Sequence, residues 1–82
     1  MPSRETSLGS IQRAFLALSK IAECPSPMTP KELAQEIDTP LPTTYHLLKT
    51  LVDLGALVKL EREGYRLGPA IGALSDSYLE QG

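Results

Sequence analysis

The segment TPKELAQEIDTPLPTTYHLLKTLVDLG, residues 29–55, decides how this chain folds. Its prolines divide it into two helical runs. Thr29 is an N-cap, Pro30 fits a first helical position, and Glu32, three residues after the cap, completes a capping box. The helix started there buries Leu33, Ala34 and Ile37. It has to end before Thr39-Pro40, because a residue preceding proline is pushed out of the helical region. A second run starts somewhere from Pro40 to Thr43, carries Leu47, Leu48, Leu51 and Leu54 at helical spacing, and stops at Gly55, a C′ glycine. Between the runs, Asp38 stands where the turn needs left-handed backbone, which aspartate accepts. Ala34 supplies the small residue where the helices cross, and Ile37 and Leu47 flank the turn. The segment is therefore a helix-turn-helix unit.

Working outward, Ile11, Ala14, Phe15, Leu18, Ile21 and Ala22 recur at three and four residues, an apolar helical stripe reaching about Glu23 with Ser10 as its N-cap. The connector CPSPMTP, residues 24–30, is closed to helix by its prolines. Past Gly55 the pattern changes to short alternating runs, Leu57-Val58-Lys59-Leu60 and Tyr65-Arg66-Leu67, around the polar turn Glu61-Arg62-Glu63-Gly64; this is a β-hairpin. Pro69 opens a last helix, with Ile71, Leu74 and Tyr78 on one face, running to about Glu80. The expected fold is mainly α with a small β-hairpin: a winged helix-turn-helix with a three-helix core, a two-stranded wing and a C-terminal helix.

Composition narrows the function. Eighty-two residues make one domain with a marginal core and no room for an enzyme-sized cleft. No apolar run approaches the roughly 18 residues that span a bilayer. The start, MPSRETSLGS, lacks an apolar export segment, so the expected compartment is the cytoplasm, without a membrane partner. Cys24 is the single cysteine and His46 the single histidine, which excludes an internal disulfide and a Cys/His zinc site. Cys24 is expected as a small apolar filler near a helix end. No nucleophile stands near a base at a useful spacing, so neither an enzyme, a cofactor nor a metal is expected.

The formal net charge of -2, from 8 Lys and Arg against 10 Asp and Glu, argues mildly against nucleic acid. Its distribution argues the other way. Between Pro40 and Pro69, Lys49, Lys59, Arg62 and Arg66 outnumber Asp53, Glu61 and Glu63, while Glu23, Glu32, Glu36 and Asp38 gather elsewhere. On a helical wheel Thr44, Leu47, Leu48, Leu51 and Leu54 face the core, leaving Pro42, Thr43, Tyr45, His46, Lys49 and Thr50 outside. An ordinary solvated face favours Glu, Lys, Gln and Ala, whereas this one carries Thr, Tyr and His, whose side chains suit base edges and phosphates. The wing cations either flank a duplex or pair with Glu61 and Glu63.

Several stretches resemble the isocitrate lyase regulator (IclR) family of bacterial transcription regulators. SIQRAFLALSKIA (10–22) looks like its first helix, ELA (32–34) and the 40–48 segment like its second helix and recognition helix, and LVDLGAL (51–57) and YRLGPAIGAL (65–74) like its wing and linker helix. The resemblance implies a DNA-binding transcriptional regulator acting on a double-stranded operator as a homodimer or higher homo-oligomer. By it, residues 1–68 are the winged helix-turn-helix domain. Residues 69–82 are a linker helix towards an effector-binding domain absent here, through which alone a small molecule would act. The candidate DNA-binding residues are Thr43, Thr44, Tyr45, His46, Lys49 and Thr50 on the recognition helix, Arg62 and Arg66 on the wing, and Arg13 on the first helix. Pro42 stands where the family has a serine, Thr39 a leucine and Asp38 a glycine, while Leu41 replaces a basic residue and His46 an arginine, which removes two cations from the groove face. The competing expectation is a winged-helix module that binds protein and no DNA.

Overall fold

The structure, a computed structural model, describes residues 2–82, with side chains from Gly9 onward. Its elements follow the order α1 (Pro2–Glu23), α2 (Pro30–Glu36), α3 (Leu41–Asp53), β1 (Leu57–Leu60), β2 (Gly64–Leu67) and α4 (Pro69–Gln81). This is a winged helix-turn-helix. The main departure in bounds is α1, which begins at Pro2, so Ser10 lies inside the helix instead of capping it.

Helix α2 is fixed at its start by the expected capping box. The Glu32 amide donates to Thr29 Oγ1 at 3.2 Å, and the Thr29 amide donates to Glu32 Oε1 at 2.9 Å. A cap of this kind stabilises a helix by about 1 kcal/mol, which matters for an element of 7 residues. Asp38 then takes the left-handed conformation, φ 51°, and turns the chain into α3. Pro40 occupies the N-cap of α3, and a Schellman pair closes the other end: the Gly55 and Ala56 amides, at C′ and C″, donate to the Val52 and Leu51 carbonyls, both at 2.9 Å. Gly55, φ 79°, supplies the positive φ that this closure requires.

The core is built from Ala17, Ile21, Met28, Leu33, Ile37, Leu48, Leu51, Ala56, Leu57 and Tyr65, so every element up to β2 contributes. Leu33, Leu48 and Leu57 are fully buried, each stabilising the fold by roughly 1.5–3 kcal/mol. Cys24 is half-buried against this cluster, as a filler should be. Strand β1 pairs antiparallel with β2 in the register Leu57↔Leu67, Val58↔Arg66, Lys59↔Tyr65, Leu60↔Gly64. Met28 adds one bridge to Tyr65, tying the α1–α2 connector to the hairpin's free edge.

Some expected core positions lie outside. The hydrophobic positions of α1 that the fold covers run from Ala14 to Ile21, and Ile11 and Phe15 stand 69% and 72% exposed. The elements that contact α1 most, α2 and β2, leave these two side chains uncovered. Leu54 is 67% exposed because it is the C-cap, where the chain has already begun to leave the helix. In α4 only Ala70 and Ile71 are half-buried, whereas Leu74 and Tyr78 are exposed. The α4 stripe therefore does not complete this domain's core.

Candidate nucleic-acid interface

Helix α3 divides cleanly into two faces. Thr44, Leu48 and Leu51, spaced four and three apart, are buried, while Thr43, Tyr45, His46, Lys49 and Thr50 are exposed together on the outer side. At the start of α3, after the Asp38 turn and the Pro40 N-cap, Leu41, Pro42 and Thr43 are exposed, and Tyr45 is 52% exposed.

Thr44 has to be removed from the candidate DNA-binding residues. It is fully buried, and its Oγ1 donates to the Pro40 carbonyl at 3.0 Å, with the Thr39 carbonyl 3.5 Å away. The hydroxyl therefore bonds back onto the preceding turn, as threonines inside helices do. Beside it, the Thr39 hydroxyl, also buried, donates to the Ile37 carbonyl at 3.0 Å. The two threonines hold the turn between α2 and α3.

The hairpin brings its cations to different places. Arg62, exposed at the tip with φ 68°, lines an open groove together with Thr29, Pro30, Tyr45, Lys59, Leu60, Gly64 and Tyr65. Arg66 does not join α3. The period of two along β2 sends it to the face opposite Tyr65, where its Nη1 donates to the Pro25 carbonyl at 3.4 Å. Arg13 is exposed on α1, which packs against α2 and β2. Among the described residues, no ion pair links Glu61 or Glu63 to the wing cations.

Sequence reasoning missed a second groove, between α3 and the hairpin, lined by Tyr45, Lys49, Val52, Asp53, Lys59 and Tyr65. Lys59 reaches it because it lies two residues after buried Leu57 and opposite buried Tyr65, on the inner face of the hairpin. The alternation was visible in the sequence, but the face that α3 covers was not. Lys49 Nζ, across the groove, pairs with Asp53 Oδ2 at 3.2 Å, one helical turn away.

Two helices set by a left-handed turn, the second presenting a polar face beside a two-stranded ribbon, define the winged helix-turn-helix class of nucleic-acid-binding domain. More particularly, the chain belongs to the IclR helix-turn-helix family, whose domain residues 10–65 match. The matched model is that of a helix-turn-helix domain of the DNA-binding regulator kind, which is not a catalytic domain. The repressor BlcR of Agobacterium tumefaciens superposes with a TM-score of 0.82 at 23% identity, over 95% of this chain and 31% of BlcR. A Nostoc punctiforme protein assigned to the O-methyltransferases superposes at 0.58 with 24% identity, over 83% of this chain and 20% of that one. At these identities the likeness is one of fold, and the chain spans a third of BlcR's length or less. A search of curated proteins finds no match. Among the described residues, no helix is long and apolar enough to cross a membrane, and no group of three or more His, Cys, Asp or Glu could hold a metal ion.

Proposed function

We propose that this domain binds duplex DNA sequence-specifically, as a homodimer, at a palindromic or near-palindromic operator. Helix α3 enters the major groove with Thr43, Tyr45, His46 and Thr50 towards bases and Lys49 towards backbone, while Arg62 at the wing tip reaches the adjacent backbone or minor groove. Arg13 and Arg66, exposed but outside both grooves, are left to outlying phosphates. The observation that carries this is the exposed polar face of α3, set against α2 by the Asp38 turn and the buried threonines and packed beside β1 of the hairpin.

Dimerisation is supported by the apolar side chains that this fold leaves uncovered, Ile11 and Phe15 on α1 and Leu74, Tyr78 and Leu79 on α4. On this proposal α4 is the linker helix that leads to an effector-binding domain, and control by a small molecule belongs to that domain. The two α3 helices of a dimer would lie about one duplex turn apart, roughly 34 Å.

Titration of labelled duplex at several salt concentrations tests the reading. Binding should weaken linearly in log–log form as salt rises, and selection from a random duplex pool should return paired half-sites. No salt-dependent binding to any duplex would leave a protein-binding winged helix in its place.

A further inference from the structure

We propose that Lys59 and Asp53 are opposed determinants of DNA affinity: Lys59 supplies a backbone-phosphate contact from the hairpin, and Asp53 restrains Lys49 from making one on α3. This rests on the duplex-binding reading above. Tyr45, Lys49 and Asp53 follow one another at four-residue spacing and so form a row along α3, and Lys59 faces that row from β1 across the groove that all four line. A helix seated in the major groove has a phosphate backbone running along each flank. On the hairpin side, that flank falls at the groove holding Lys49, Asp53 and Lys59.

The two lysines enter such a contact from different states. Lys59 is exposed and has no ion pair among the described residues, so a phosphate is its first anionic partner. Lys49 already holds Asp53 at 3.2 Å. To reach a phosphate it must share its charge between two anions, and the Asp53 carboxylate then stands beside the DNA backbone as a like charge. Counterion release follows the number of phosphates neutralised, so Lys59 contributes a full contact and Lys49 only part of one. Asp53 thereby lowers affinity for every sequence alike and leaves the discrimination by Tyr45 and His46 unchanged.

The test measures the full chain against a labelled random-sequence duplex pool across a range of salt concentrations. Lys59→Gln should reduce the salt slope by about 0.9, and Lys59→Arg should keep it. Lys49→Gln should reduce it less. Asp53→Asn should tighten binding about fivefold, and this gain should shrink when Lys49 is also changed to Gln. All these side chains are exposed, and unchanged thermal unfolding establishes that each variant is folded. If the unaltered chain shows no salt-dependent binding, the duplex reading itself fails. If it binds while Lys59→Gln keeps the full slope, or Asp53→Asn does not bind more tightly, duplex binding stands and this assignment is overturned.

Discussion

Thr44 separates what holds α3 in place from what α3 presents to a partner. Replacing it by valine keeps the shape and removes the hydroxyl that donates to the Pro40 carbonyl at 3.0 Å. That carbonyl also accepts the Thr44 amide at 2.9 Å, so it is not orphaned, and the loss is that of one hydrogen bond, about 0.5–1.5 kcal/mol. Alanine removes the methyl as well, from a site with no solvent exposure, which brings the total to roughly 2 kcal/mol. In a domain of this size each kcal/mol lowers Tm by about 4–8 °C, so Thr44→Val should melt a few degrees below the unaltered chain and Thr44→Ala about twice as far. Thermal and urea unfolding followed by far-ultraviolet circular dichroism gives both values. Measured well below its Tm, Thr44→Val should bind duplex as the unaltered chain does. Unchanged stability combined with lost binding would refute the reasoning, because the hydroxyl would then be reading DNA and not closing the turn.

Tyr45→Ala and His46→Ala should leave stability within about 0.5 kcal/mol but change the preferred bases in selection from a random pool, each specific contact contributing roughly 1–3 kcal/mol. Asp38→Ala should destabilise by about 1 kcal/mol in urea unfolding because alanine tolerates φ 51° poorly, whereas Asp38→Gly should be at least as stable as the unaltered chain. Gly64→Ala should destabilise by about 2–4 kcal/mol, since its Cβ would fall 2.4 Å from the Met28 carbonyl oxygen at a φ of 125°; an unchanged urea midpoint would contradict the Met28 bridge to the hairpin. Phe15→Ser, at a 72% exposed position, should weaken self-association in sedimentation equilibrium while barely moving Tm.

Much of the fold is legible in local signals. The capping box at Thr29 and Glu32, the prolines at 30, 40 and 69, and Gly55 at the end of α3 each act within a few residues, so their effect can be read without knowing the rest of the chain. The outer face of α3 was legible for the same reason, because helical periodicity places Thr43, Tyr45, His46, Lys49 and Thr50 together. The first helix was less so: its stripe promised burial for Ile11 and Phe15, yet periodicity reports only that residues share a face and not whether another element arrives to cover it. The Thr44 hydroxyl illustrates the same limit, since a threonine in a first helical turn can bond back to the chain or point outward, and its burial on the same side of α3 as Leu48 and Leu51 decides which.

The sequence by itself therefore determined the order of elements, the left-handed turn at Asp38 and the polar face of α3, all of them consequences of short-range sterics and hydrogen bonding. Tertiary structure alone decided which cations meet that face. The pairing register and the docking of the hairpin on α3 bring Lys59 beside Lys49, Asp53 and Tyr45 and send Arg66 to the Pro25 carbonyl. A shift of one residue in that register would have exchanged the two faces, because side chains alternate along a strand and only long-range packing fixes which set is turned inward.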